Sequence, residues 1–430
     1  MSESKPTRSR AAMAMEGRYG AHNYHPLPVV LQKGKGVFVW DVEGRKYYDF
    51  LSAYSAVNQG HCHPKIVETV KVQAETLALT SRAFYNDRLG MFEKYLAETF
   101  KFDRVLPMNT GAEAVETAIK ICRKWGYEKK GIEDNEALIV VCKNNFHGRT
   151  TTIVSFSSDE LARDHFGPFG GGFMEIPYND IPALRNLLEA HPNVAGFLVE
   201  PIQGEAGVNL PSADYLAAAK ALCEQHNVLF IADEIQTGIA RTGKLLATCG
   251  NCSCADRHCS GSPEVKPDIL ILGKALSGGA YPISAVLAAE QIMEVIRPGT
   301  HGSTFGGNPM AAAIGMAALD VVREEQLAAN AERLGKRFRE VLTQFAGTSS
   351  VLSEVRGKGL LNAVVINDSP DSSTAWEICL ELMENGLLAK PTHGNIVRFA
   401  PPLVMTEGQL DECLEIITKT LRKFEKILAG

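Results

Sequence analysis

The 430-residue chain contains no apolar run approaching the ~20 residues that a membrane-spanning helix needs, which excludes an integral helical membrane protein. It also lacks any surplus of positive charge. Lys and Arg total 44 against 50 Asp and Glu, a formal net charge of −6, so there is no electrostatic footprint for nucleic acid or an anionic membrane. That balance leaves room for a local positive site for a small anion. Neither a Walker A loop nor a GxGxxG fingerprint occurs, and nucleotide binding is disfavoured accordingly. No internal repeat or heptad array is present. The first twenty residues have no apolar h-region, which predicts the absence of a secretory signal. They carry Lys5, Arg8, Arg10 and Arg18 alongside Glu3 and Glu16, and so half fit a mitochondrial presequence. They read as a disordered arm of a cytoplasmic protein, with the mitochondrial matrix as the alternative. Ten cysteines without a secretory signal argue for mainly reduced thiols.

What is present is an ordinary globular composition, 45% hydrophobic and 22% charged, in a chain long enough for two or three domains. Apolar, β-rich runs at 137–142, 195–199, 228–232 and 269–272 alternate with amphipathic stretches such as 111–124 and 215–226. Near-continuous apolar strands separated by helices predict an α/β fold around a buried, mainly parallel sheet. In such sheets ligands sit beyond the carboxyl ends of the strands. Those ends deliver Phe146, His147 and Arg149; Glu200, Gln203 and Glu205; Asp233, Glu234 and Gln236; and Gly273 and Lys274. Four strand ends thus send polar groups to one edge. From about Ala328 the pattern changes to long helices flanking 359–366 and 396–399. The expected division is an N-terminal arm and segment over 1–55, a large domain over 56–327 and a smaller α+β domain over 328–430. The N-terminal segment, with strands near 37–40 and 46–50 turned by Asp41–Gly44, joins the smaller domain.

Lys274 lies at the end of a buried strand between Gly273 and Gly278-Gly279, with backbone space for a bulky partner. Desolvation there would lower its pKa and make it a nucleophile toward an aldehyde, although a lone Lys at a strand–helix turn is more often a surface residue. Asp233 follows a buried strand directly and suits pairing with a pyridinium nitrogen; a helix N-cap is the plainer role. Asn109-Thr110-Gly111-Ala112 opens a helix with small residues and is the best phosphate candidate, with Thr110 alone explicable as a cap. Ser303 and Thr304 in Gly302-Ser-Thr-Phe-Gly-Gly-Asn308 form a second phosphate candidate, or simply a turn. Phe146 is suited to stacking on a planar ring or to core packing. Arg149 offers a fork for a carboxylate, or is a solvated surface residue. Arg398 is embedded among apolar residues in Ile396-Val-Arg-Phe-Ala-Pro-Pro402, which calls for a buried partner; Glu205 is the candidate.

Together these motifs resemble the class III, fold-type I pyridoxal-phosphate-dependent aminotransferases, from about Tyr19 to near the C-terminus. Within that family, Tyr19–Pro28, Ser52–His61 and Lys390-Pro-Thr-His-Gly394 resemble the ornithine aminotransferase branch. The resemblance implies pyridoxal 5'-phosphate as cofactor, with Lys274 joined to it as a Schiff base and Asp233 on its ring nitrogen. Phe146 would stack on the ring and Gln236 approach its hydroxyl. Gly111 and Ala112 would hold the phosphate through backbone, with Thr304 reaching it from the neighbouring subunit of a homodimer. Tyr24 would contact the donor's α-amino group, Arg149 its α-carboxylate, and Tyr54 would shape the pocket. Glu205 would neutralise Arg398 while L-ornithine is bound and release it for 2-oxoglutarate. The implied reaction is ping-pong transfer of the δ-amino group of ornithine to 2-oxoglutarate, giving L-glutamate 5-semialdehyde and L-glutamate. Transfer from acetylornithine or 4-aminobutyrate is the alternative.

Two features depart from that pattern. His147 stands where several members of the branch have tryptophan and acetylornithine aminotransferases often have histidine. The segment at about 247–266, with Cys249, Cys252, Cys254, Cys259 and His258, reads as an insertion. Its spacing lacks a second C-x-x-C, so a thiol-rich loop or a redox-sensitive pair fits better than zinc.

Overall fold

The computed structural model describes residues 7–249 and 265–428. The described residues build three sheets. β1 (Leu31–Lys35), β2 (Phe38–Asp41) and β3 (Lys46–Asp49) form an antiparallel meander near the N-terminus. β4 (Arg104–Met108), β5 (Leu138–Cys142), β6 (Phe173–Ile176), β7 (Val194–Val199), β8 (Leu229–Asp233), β9 (Ile269–Leu272) and β10 (Ser284–Ala288) make the central sheet, in the order β4-β10-β9-β8-β7-β5-β6. β11 (Leu352–Lys358), β12 (Leu361–Ile366), β14 (Lys390–His393) and β15 (Ile396–Phe399) make the third. The short β13 (Leu387–Leu388) instead crosses over to lie parallel to β3, with Leu387 opposite Tyr48.

The four expected core strands are all present and shift by no more than one residue at either end. Their burial explains why they read as continuous apolar runs: β7, β8, β9 and β10 are buried along their whole length. Side chains alternate between two helical layers. Ile139, Leu198, Ile231 and Ile271 pack with Val115, Ala118 and Ile119 of the helix Gly111–Trp125. Phe197, Val199 and Phe230 face Leu184 and Tyr215, on the helices Ile181–Ala190 and Tyr215–Gln225. β10 alone runs antiparallel, against both β4 and β9. The carboxyl ends of β4, β5, β7, β8 and β9 therefore share one edge.

The N-terminal residues depart from expectation. Instead of a disordered arm, Arg8–Tyr19 is a helix capped by the Thr7 hydroxyl. None of its residues is buried. It is held through polar contacts to the β2–β3 turn, Arg8 Nη1 donating to the Val42 carbonyl at 2.6 Å and Ser9 N to Glu43 Oε1 at 2.9 Å. A segment expected to be disordered is thus a helix, anchored by Arg8 and Ser9.

Residues Ser52–Ser55 are the most unusual backbone in the chain. All four have φ between 48 and 75 or, at Ala53, 46, so four non-glycine residues in succession lie in the left-handed region. Such residues cost roughly 1–2 kcal/mol each and persist only where the surroundings fix them. Asp49 does much of this: its Oδ1 accepts from Leu51 N and Ser52 N, while its Oδ2 binds His61 Nε2 at 2.7 Å. Asn58 and Gln59 then tie the same segment to Ile239 O, Ala275 O and Ala318 O.

Candidate active site

Six of the expected residues, Gly111, Ala112, Phe146, Asp233, Gln236 and Lys274, line one cavity of about 190 Å³ at the shared strand edge. Lys274 follows β9 through Gly273 and has φ +41, on the first residue of a tight turn to Ser277. Burial disfavours its ammonium and lowers its pKa, with Glu205 and Asp233 acting in the opposite sense. Asp233, the last residue of β8, is 4% exposed. Its Oδ1 accepts from Ile235 N at 3.0 Å and its Oδ2 meets His147 Nδ1 at 2.6 Å. Burial opposes charge on His147, but the hydrogen bond and charge of Asp233 outweigh it and raise the imidazole pKa. His147 Nε2 is buried and has no partner.

The helix Gly111–Trp125 opens on a capping box. Thr110 Oγ1 accepts from Glu113 N, and Glu113 Oε2 accepts from the N–H groups of Asn109 and Thr110. The Thr110 oxygen serves the cap, and its O–H remains a donor. The N–H groups of Gly111 and Ala112, at the first two helical positions, are left for an anion. A Cβ at Gly111 would stand 3.0 Å from Ile235 Cδ1, and one at Gly148 (φ +134) 3.0 Å from Ala112 Cβ. Glycine at both keeps the cradle open. Phe146, 36% exposed, presents its ring to this cavity and to a neighbouring one of about 380 Å³.

That second cavity is lined by Arg149, Asp159, Glu205 and His393 among others. Arg149 is more than half exposed, 3.8 Å from Asp159. Arg398, 3% exposed, places Nη1 2.9 Å from Glu205 Oε1 and 3.1 Å from the Gly204 carbonyl. Glu205 Oε1 also accepts from Gln236 Nε2 at 2.8 Å. Burial alone would push the Glu205 carboxyl up, but Arg398, Lys274 and Gln236 together hold it down to about 2. The pair expected from sequence is therefore formed. Tyr54, displayed by the left-handed turn, lies with its ring 5.2 Å from the Arg398 guanidinium carbon.

Three expected residues line neither cavity, although Ser303 touches Asn109 beside the helix start and Tyr24 acts electrostatically on Tyr54. Ser303 Oγ accepts from Asn109 Nδ2 and Gly306 N, a turn role within its own chain. Thr304 is exposed. Tyr24 is 68% exposed, beneath Lys390 at 5.6 Å. Cys249 is buried in the turn Ala247–Cys249, whereas Cys252, Cys254, Cys259 and His258 lie outside the described residues. Two further residues contribute: Glu200, which the sequence placed at this edge without a role, and Ile235, which it did not single out. Glu200, at the end of β7, accepts from Phe146 N at 3.0 Å, and burial pushes its carboxyl up to about 8. Ile235 packs against both Gly111 and Gly273. Glu200 stood at a strand end and was legible as a site position; Ile235 carried no chemical signal.

A buried lysine of lowered basicity, a carboxylate held opposite it, an exposed aromatic face and a helix N-terminus in one cavity fit pyridoxal phosphate. The Aminotransferase class-III family matches residues 19–421, and the chain belongs to that family, whose members use this cofactor. Within it, the chain is 58% identical over 415 residues to the mitochondrial ornithine aminotransferase of Drosophila melanogaster, covering 96% of this chain and 92% of that protein. It superposes on the ornithine aminotransferase from Toxoplasma gondii with a TM-score of 0.93 at 47% identity, over 99% and 97% of the two chains. A structure described as acetylornithine aminotransferase from Elizabethkingia anophelis is 58% identical with a TM-score of 0.86, over 97% and 99%. No described helix is long and apolar enough to cross a membrane.

Proposed function

We infer that this chain is an ornithine δ-aminotransferase, passing the δ-amino group of L-ornithine to 2-oxoglutarate in two half-reactions. The observation that carries this reading is the buried Glu205–Arg398 pair, joined through Gln236 to the cavity that Lys274 lines. One pocket has to accept a donor whose reacting end is cationic and, in turn, an oxoacid with a second carboxylate. A guanidinium matched by a carboxylate serves both states. While Glu205 is in place Arg398 is compensated; when Glu205 turns away, Arg398 offers its fork to the dicarboxylate.

Gly111, Ala112, Phe146, Asp233, Gln236 and Lys274 would hold pyridoxal phosphate, which when bound supplies an aldehyde for the donor amine and an electron sink. The chain's own groups do the rest. Lys274 Nζ, its basicity lowered by burial, would take a proton from the donor carbon and deliver it to the bound cofactor, and in the second half-reaction carry one from the cofactor to the acceptor carbon. Asp233, braced by His147 and Ile235, holds negative charge against a ring nitrogen. Arg149 receives the α-carboxylate, Tyr24 the α-amino group, and Tyr54 closes the wall beside Arg398.

The assembly in this reading is a homodimer, with Thr304 serving the partner's phosphate site. Leu77, Leu79, Phe84, Tyr85, Met91 and Phe305 are large side chains left exposed. The Met310 N–H to Ala78 O bond ties the segment holding Leu77 and Leu79 to the helix that follows Phe305. Residues 56–327 act as the cofactor-carrying domain, with 328–430 and the N-terminal segment as its smaller companion. The chain is placed in the cytoplasm, with the mitochondrial matrix as the alternative that cell fractionation tests. The deciding experiment for substrate is a donor screen: ornithine without oxoacid bleaches the cofactor's yellow absorbance. His147 and the likeness to the Elizabethkingia structure favour acetylornithine as the second reading, and faster bleaching by acetylornithine would establish it.

A further inference from the structure

Glu205 sits at the tip of a small closed loop. Gln203 and Asn209 exchange both backbone hydrogen bonds at its neck, at 3.1 and 3.0 Å. Inside it, Gly207 has φ +109 and the fully buried Val208 has φ +59, an unusual conformation for a β-branched residue. Three carbonyls of this loop are gripped from the C-terminal sheet, each by a different strand. Arg356 of β11 donates Nε and Nη2 to the Gly207 carbonyl at 3.0 and 2.8 Å. Thr392 of β14 donates its hydroxyl to the Glu205 carbonyl at 2.7 Å. Arg398 of β15 donates to the Gly204 carbonyl at 3.1 Å. Ile202 and Val208 pack with Leu361, Ala363 and Ala400 beneath these bonds. Glu354, 3.0 Å from Arg356 Nη1, steadies the guanidinium.

We propose that Arg356 and Thr392 are positioning residues that immobilise the Glu205 backbone, so that exchange between the two substrates is a rotation of the Glu205 side chain alone. The inference rests on the two-state reading of the Glu205–Arg398 pair given above. The hydrogen-bond pattern supports a side-chain movement. All three grips are on main-chain oxygens, while the Glu205 carboxylate is held through one oxygen only, by Arg398 and Gln236. The two states make unequal demands on the loop. Pairing requires the carboxylate to meet a buried fork at hydrogen-bond distance; the turned-away state has no such requirement. Loosening the loop therefore weakens the paired state selectively, and a dicarboxylate then displaces Glu205 from Arg398 more easily.

The test is glutarate binding to the cofactor-loaded enzyme, followed by calorimetry, in wild type, Glu205→Gln, Thr392→Val, Arg356→Gln and the doubles with Glu205→Gln. Glu205→Gln is expected to tighten glutarate binding. Thr392→Val, which removes one hydroxyl at nearly constant shape, is expected to lower its Kd about threefold, and Arg356→Gln, which removes two donors, about tenfold. Combined with Glu205→Gln, neither adds anything further, because the pair they serve is already gone. If Glu205→Gln leaves the Kd unchanged, the two-state reading fails and this proposal with it. If Glu205→Gln tightens binding but Thr392→Val does not, the positioning role fails alone. Effects that add fully to that of Glu205→Gln also overturn it. Thr392→Val decides the matter should Arg356→Gln not fold.

Discussion

Lys274 and Glu200 are both ionisable groups taken out of water, and burial favours the uncharged form of each. Lys274 keeps an opposing charge nearby in Glu205. Lys274→Ala is expected to abolish turnover yet still retain cofactor noncovalently, because the other cavity residues are untouched; normal turnover would contradict its assignment. Glu200 is protonated in the folded state up to about pH 8, against an ordinary value of 4.5. Between those values the folded chain holds a proton that the unfolded chain has lost, so this group's contribution falls as pH rises. His147, whose pKa is also raised, acts in the same direction. Glu200→Gln removes the Glu200 share. In enzyme freed of cofactor, the Tm of this variant minus that of wild type should grow from pH 5 to pH 8. A difference that is flat with pH would show that Glu200 does not titrate this way.

At the scale of elements, the site depends on loops that approach one another more closely than side chains would permit. A Cβ at Gly204 would fall 1.7 Å from Gln236 Oε1. Gly204→Ala must therefore displace Gln236 and with it the Glu205 carboxylate. A loss of activity of about a hundredfold or more is expected, with the folded far-UV signal retained; a fully active variant would mean that the loop relocates freely. This scale also separates what was legible in the sequence from what was not. The strands 195–199 and 269–272 announced themselves because burial on both faces leaves only apolar residues. Lys274, Asp233 and Glu205 were readable because strand ends deliver them. The left-handed turn at Ser52–Ser55 was not, because Ser, Ala and Tyr have no preference for that conformation; it is imposed by Asp49, His61 and Asn58. The helix Arg8–Tyr19 was hidden for a similar reason, its support being polar contacts to a turn distant in sequence.

For the whole molecule, the proposed dimer makes a claim that a single chain cannot satisfy. Thr304 is exposed and does not line the Lys274 cavity of its own chain, while Phe305 next to it is a large side chain left exposed. Phe84→Asp, placing a charge on that face, should shift the sedimenting species from dimer toward monomer. Thr304→Ala should leave the dimer intact but weaken cofactor affinity about tenfold, the loss of one hydrogen bond to a charged group. Cofactor affinity unchanged in Thr304→Ala would remove the shared-site part of the proposal.

The parallel pairing of β3 with β13 sets a timetable for biosynthesis. Tyr48 leaves the ribosome long before its neighbour Leu387. Until then the N-terminal meander carries an open edge able to pair with the wrong strand, in the same chain or another. A nascent chain therefore carries this unpaired β3 edge until β13 has been made, and truncations that remove β13 should aggregate through it.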